Sequence, residues 1–210
     1  MADKATITVE LIPWSRIEDT ARRCARWVRR DAFQPDLVVA IARGGFIPAR
    51  LLCDHLGIHR LAGIQVSHYG AGAQVTGQAR VVTPLNVDVH GRKVLLVDDV
   101  NDSGATLAVA LDYLRALSPA ALKVAVLVQK ERSPVPVDYY GQLLESWRWL
   151  TFPWARVEDI SDFAERLLPG ERDHQRVRAA LYQAHGIRPD DCLLDDAFAF
   201  ADSESVQASE

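Results

Sequence analysis

The chain has 210 residues, 49% hydrophobic and 25% charged, with a formal net charge of -4 and three cysteines. That size suits one compact domain with a small appendage, and the composition excludes disordered, collagen-like and low-complexity classes. The charge balance leaves no global footprint for nucleic acid, and no apolar run reaches the roughly 20 residues of a membrane span.

The start, MADKATITVE, lacks the layout of a signal peptide, so a cytoplasmic protein is expected. Cys24, Cys53 and Cys192 are far apart and form no CxxC pair, which argues against a disulfide framework or structural zinc. Ser15 with Glu18 three residues later reads as a capping box. It opens a helix whose Ile17, Ala21, Cys24 and Val28 share one face. Arg22, Arg26, Arg29 and Arg30 then fall on the other flanks as a solvated helix face.

Pro35 and Asp36 end that pattern, and LVVAI over 37–41 reads as a buried strand. ARGGF interrupts it, and a helix with Pro48 in its first turn and a C-cap near Gly57 follows. LAGIQV over 61–66 is a weaker strand, and SHYGAGAQVTGQAR over 67–80 reads as a mobile loop or hairpin. KVLLVDD over 93–99 is the strongest strand, followed by a helix from Ser103 to Leu117 with Leu107, Ala110, Leu111, Leu114 and Leu117 on its apolar face. KVAVLVQ over 123–129 is a further buried strand. Alternating strands and helices predict an α/β fold built on a mostly parallel sheet.

Beyond Lys130 the chain reads as aromatic loop until a helix near 157–168. Pro169 and Gly170 mark a boundary between a domain over 1–170 and an extension over 171–210. The extension holds one helix near 172–185 and an acidic end, DSESVQASE, with a disordered composition. His55 and His59 could share a helix face as metal ligands, but Gly57 and the helix end between them argue against zinc.

The chemistry gathers in VLLVDDVNDSGAT. A loop joining a buried strand to a helix offers free N–H groups to an anion, and Ser103, Gly104, Ala105 and Thr106 are small enough for a phosphate to approach. Ser103 by itself reads first as a helix cap, and only in company as a phosphate contact. Two adjacent carboxylates about 4 Å apart repel by about 4 kcal/mol at an effective dielectric near 20. Asp98 and Asp99 therefore call for hydroxyl donors, a metal or a cation, and a ribose carrying a 5′-phosphate in the adjacent loop would supply the hydroxyls. Neither a GxxxxGK[ST] loop nor a GxGxxG after a strand is present.

This stretch resembles the phosphoribosyl pyrophosphate (PRPP) signature of type I phosphoribosyltransferases. IARGGFIPARLLCDHLGI resembles the diphosphate loop of the purine enzymes, and VLVQKER with DYYG and WLTFPW is similar to the bacterial xanthine-guanine and archaeal hypoxanthine-type enzymes. The resemblance implies the type I fold, a mostly parallel sheet flanked by helices with a small hood. It also implies transfer of the 5-phosphoribosyl group to N9 of a 6-oxopurine, with diphosphate released.

In that reading Asp98 and Asp99 hold the ribose hydroxyls, and Asp102 to Thr106 bind the 5′-phosphate, with Asp102 also catalytic near N7. Ala42, Arg43, Gly44 and Gly45 bind diphosphate, near a non-proline cis peptide at Ala42–Arg43. Lys130, Trp149 and Leu150 meet the base, although a snorkelling lysine and a core tryptophan are the plain alternatives. Mg²⁺ is carried by PRPP, with Asp98 or Asp99 as possible ligands. The implied partners are PRPP and a purine base, with no nucleic acid and no membrane, in a homodimer or homotetramer. The alternatives are an enzyme for another base and a non-catalytic regulator that senses PRPP or a nucleotide. The extension after Gly170 has no counterpart in the short bacterial enzymes.

Overall fold

The computed structural model describes residues 7–68 and 79–207. In chain order the elements are β1 (Val9–Leu11), α1 (Trp14–Arg30), β2 (Leu37–Ala42), α2 (Phe46–Leu56), β3 (Leu61–His68), β4 (Ala79–Thr83), β5 (Lys93–Asn101) and α3 (Ala105–Ala116). Then come β6 (Ala121–Lys130), β7 (Tyr139–Leu144), β8 (Trp149–Thr151), a 3₁₀ turn (Pro153–Ala155), α4 (Arg156–Leu167), α5 (His174–His185) and α6 (Asp191–Gln207). They divide into two compact units, one of residues 15–147 and one of residues 1–14 with 148–210.

The 15–147 unit is the α/β layer structure the alternation predicts. Six strands run in the order β4-β3-β2-β5-β6-β7, parallel except for the antiparallel edge strand β4. Because side chains alternate along a strand, the apolar runs of β2 and β5 feed two cores at once. Leu37, Val39, Ile41, Val94 and Leu96 pack with Leu107, Ala110, Leu111 and Leu114 of α3. Val38, Ala40, Leu95 and Val97 pack with Cys24, Ala25 and Val28 of α1 and Ala49, Leu52 and Cys53 of α2. The chain winds from β2 through α2 to β3 on one side and from β5 through α3 to β6 on the other. The reversal therefore lies between β2 and β5, the position where open α/β sheets leave a crevice at their carboxyl ends.

Several expectations change here. Helix α1 begins at Trp14, which puts Ser15 inside the first turn rather than at the cap. The strand carrying the two aspartates continues to Asn101, and α3 begins at Ala105 rather than Ser103. The supposed loop after Lys130 contains β7, whose Gly141 lies against α1 so closely that a Cβ there would stand 2.3 Å from the Thr20 carbonyl oxygen. Of the segment 67–80, Ser67 and His68 extend β3 and Ala79 opens β4, while 69–78 lie outside the described residues.

The second unit pairs β1 with β8 in parallel and packs α4, α5 and α6 around Val9, Phe163, Leu181, Leu194 and Phe198. Asp173 caps α5 by accepting the Arg176 N–H at 2.8 Å, and Gly186 closes it at φ 75°. The acidic end is helical through Gln207, contrary to its composition, with residues 208–210 outside the described range. Earlier in the same helix Leu194, Ala197, Phe198 and Ala201 stand at i, i+3, i+4 and i+7 and are buried, so an apolar stripe anchors α6 ahead of its acidic end. No helix of the described residues is long and apolar enough to cross a membrane.

Candidate active site

The exits of β2 and β5 meet because Ala40 and Val97 are partners in the parallel ladder. The Ala42–Arg43 peptide is cis, as the resemblance implies, and Arg43 is exposed on the turn that follows. Gly45 donates its N–H to the Ile41 carbonyl at 2.9 Å, folding the loop back onto its own strand. A Cβ at Gly45 would stand 2.5 Å from the Val97 carbonyl oxygen, so only glycine lets this loop lie on β5. A Cβ at Gly44 would stand 2.1 Å from Asp99 Oδ2. The glycine loop and the paired aspartates, distant in sequence, thus form one surface.

Asp98 and Asp99 stand within β5, not in a loop. Asp98 is 8% exposed and accepts the Asp99 N–H at 3.0 Å, and Asp99 accepts the Val100 N–H at 2.7 Å. Burial raises the Asp98 carboxyl well above the usual carboxylate range; the Asp99 charge adds to the rise and the Asp99 N–H offsets part of it. Main-chain donors thereby meet part of the demand that two adjacent carboxylates create.

After Asn101 the chain turns into α3 through Gly104, at φ 78°. A Cβ at Gly104 would meet Val135 Cγ2 at 2.5 Å, so glycine is required there both by backbone and by space. The Ala105 N–H points at Ser103 Oγ at 3.4 Å, a long contact beside the start of the helix. Asp102 to Thr106 therefore wrap the N-terminus of α3, where main-chain donors and the helix dipole favour an anion.

The buried Asn101 was not foreseen as a site residue. Its amide donates to Gln129 Oε1 at 2.8 Å and to the Val135 carbonyl at 2.7 Å, and its Oδ1 accepts the Ser133 hydroxyl at 2.9 Å. One side chain thus ties the turn before α3 to the turn after β6. Its position inside the aspartate motif was the only sequence signal, and it did not separate a clamp from a ligand contact.

Lys130, at the end of β6, is buried and pairs with Asp102. Trp147 completes this cluster, with Nε1 donating to Asp102 Oδ1 at 3.3 Å and its ring 4.8 Å from the Lys130 ammonium. Sequence reasoning singled out Trp149 and passed over Trp147. Trp149 and Leu150 belong to the second unit, on β8. There Trp149 Nε1 donates to Asp159 Oδ2 at 2.8 Å and its ring meets Phe163 edge-on, while Leu150 is buried. Burial raises the Asp159 carboxyl, and the bonds from Trp149 and Thr151 pull the other way.

Residues 10–155 match the family model of the phosphoribosyl transferase domain. The chain belongs to this family. It is 36% identical over 115 residues to the hypoxanthine-guanine phosphoribosyltransferase of Aquifex aeolicus, covering 51% of this chain and 63% of that protein. The match therefore spans less than two thirds of that relative's length. It is 33% identical over 153 residues to the xanthine-guanine phosphoribosyltransferase of a Ruegeria species, covering 68% and 83%. Among solved structures, the purine phosphoribosyltransferase of Pyrococcus horikoshii superposes with a TM-score of 0.62 at 30% identity, over 70% of this chain and 94% of that one. The matched residues 10–155 take in the whole 15–147 unit and with it the strand-end cluster.

Proposed function

We propose that this phosphoribosyltransferase family member moves the 5-phosphoribosyl group of PRPP to N9 of a 6-oxopurine, releasing diphosphate. The observation that carries the reading is the meeting of Asp99 with Gly44 beside the Asp102–Thr106 turn, because it brings together an acidic, an anion-binding and a glycine-loop surface at one strand-end reversal. The names of the purine relatives support the choice of base.

In this reading the C1–O bond to diphosphate breaks as N9 bonds to C1, and the purine's ring proton departs. Asp98 and Asp99 hold the ribose hydroxyls, and the N-terminus of α3 holds the 5′-phosphate. Arg43, Gly44 and Gly45 hold the leaving diphosphate. Positive charge develops on the ribosyl ring, so fixed carboxylates beside it lower the barrier without reorganising.

Asp102 faces N7 and takes up the ring proton. Both its oxygens are engaged, by Lys130 and Trp147, so base binding transfers the Lys130 ammonium from Asp102 to the purine's exocyclic oxygen. That exchange leaves Asp102 a free acceptor only when the base is present.

No group of three acidic, histidine or cysteine side chains among the described residues could cage a metal alone. Asp98 or Asp99 with substrate oxygens suits Mg²⁺, which keeps most of its waters and takes one or two carboxylates. When bound, Mg²⁺ neutralises diphosphate charge. The same reading places the protein in the cytoplasm as a homodimer or homotetramer.

The test is diphosphate release from PRPP and Mg²⁺ with hypoxanthine, guanine, xanthine, adenine, uracil and orotate, with Asp102→Asn alongside. Turnover confined to oxopurines and reduced about 100-fold or more in the variant is expected. Binding of PRPP without turnover on any base would refute catalysis and leave a regulator.

A further inference from the structure

The arginine-rich face of α1 is exposed, and part of it borders a groove. Arg23, Arg26 and Arg30 line a groove of about 520 Å³ together with Trp27, Asp31 and Tyr140, all within the 15–147 unit. Asp31 is the one carboxylate in the lining; it is held by Lys123 and by the Tyr139 hydroxyl at 2.5 Å, so its charge is already balanced. Among the described residues, Arg23, Arg26 and Arg30 make no ion pair. The groove therefore carries three uncompensated guanidinium groups.

Its floor is aromatic. Trp27 is 40% exposed and stands steeply to both Tyr140 and Tyr139, ring centroids 4.8 and 6.2 Å apart, so the two tyrosines hold the indole while part of its surface stays open to solvent. Arg23, Arg26 and Arg30 stand at i, i+3 and i+7 on the helix, a row about 10 Å long at 1.5 Å per residue. A planar ring on Trp27 with a chain of phosphates along the row would use every group. The volume lies in the small-molecule range of roughly 300–1,000 Å³.

The groove is also separate from the strand-end cluster. Tyr140 pairs with Val126, whereas Lys130 at the strand end pairs with Leu144, four residues further along. At about 3.3 Å per residue, roughly 13 Å of sheet lies between them.

We propose that this groove is a second ligand site, for a nucleoside polyphosphate, with the base against Trp27 and the phosphates on Arg23, Arg26 and Arg30. Arginine suits phosphate because its planar fork donates two parallel hydrogen bonds. A polymer is disfavoured by the net charge of -4 and by a basic row about one nucleotide polyphosphate long.

The five tryptophans allow a site-resolved test. Their indole N–H resonances in the full-length ¹⁵N-labelled chain are assigned with single Trp→Phe variants, then followed during titration with GTP, ATP, inorganic tripolyphosphate and a short single-stranded RNA. A saturable shift of the Trp27 resonance with GTP or ATP is expected. Arg26→Gln with Arg30→Gln should weaken it by about tenfold or more per arginine while the other four resonances stay in place, which verifies the fold. Nucleotide that moves Trp147 and leaves Trp27 still would overturn the site. Tripolyphosphate binding as tightly as GTP would overturn ring recognition, and RNA binding more than about tenfold tighter would replace the nucleotide with a polymer. Because the readout is Trp27 and not turnover, the result is independent of whether the strand-end cluster is catalytic.

Discussion

Replacing Gly44 with alanine tests whether the glycine loop positions the acidic pair. The new methyl group would start 2.1 Å from Asp99 Oδ2 and 2.7 Å from its Cγ. An ordinary contact begins near 3.4 Å, so the carboxylate must retreat by roughly 1.3 Å or the loop must lift by as much. Gly44 does not lie at positive φ, so alanine introduces no backbone strain and the clash with Asp99 is the whole perturbation. Overpacking of this kind costs about 1–3 kcal/mol, a fall of roughly 2–12 °C in Tm for a chain of this size. A group misplaced by about 1 Å can cost about 100-fold in rate, so kcat/KM for diphosphate release should fall by about that factor, well beyond the loss of fold. Adding Asp99→Ala to Gly44→Ala removes every clashing atom of that side chain, Cγ included; it should recover much of the lost Tm and leave activity low. The assay is steady-state diphosphate release with thermal denaturation on the same preparations. A Gly44→Ala protein with kcat/KM within about twofold of the parent would refute the argument that Gly44 sets the place of Asp99.

Two further perturbations probe the same region. Burial lifts the Asp98 carboxyl in the folded state, so the folded chain holds that proton more tightly than the unfolded chain, whose group titrates near 3.8. Its contribution to stability is therefore complete below about pH 4 and declines as pH rises through the raised folded value. Asp98→Asn keeps the oxygen that accepts the Asp99 N–H and removes the charge. It should raise Tm at pH 7, with the gain shrinking as pH falls toward 4; a gain that grows on acidification would contradict the burial argument. Asn101→Ala removes a buried amide and strands its partners on Gln129, Ser133 and Val135, a loss of about 2–4 kcal/mol measurable as a lower urea midpoint, whereas an unchanged midpoint would show that the two turns hold without it.

Local signals carried much of the architecture. The runs 37–41, 93–99 and 123–129 have branched apolar side chains on both faces, a pattern that a two-sided buried strand requires, and each proved to be a strand of the sheet. Gly57 was legible as a stop because a left-handed cap needs no side chain, and it sits at φ 70°. The strands missed were short or at edges: β8 has three residues, and β7 is an edge strand interrupted by Gly141, so neither had enough periodicity to stand out. In α6 the acidic composition masked an apolar stripe that has meaning only once α4 is there to cover it.

The sequence alone determined the α/β class and the chemistry on offer, because hydrophobic period and the pairing of small, acidic and glycine residues are written in consecutive positions. VLLVDDVNDSGAT and ARGGF could be read as anion and sugar surfaces without knowing where either lay. Only the tertiary structure decided that Asp99 rests on Gly44, that Asn101 clamps two turns, and that Trp147 joins Lys130 and Asp102. It alone also showed that Arg26 and Arg30, exposed as the sequence reading expects, line a groove with Arg23, Trp27 and Tyr140. Those are contacts between residues far apart in the chain, set by strand order, ladder register and helix packing. No local pattern of residue types encodes which of several equivalent side chains will meet.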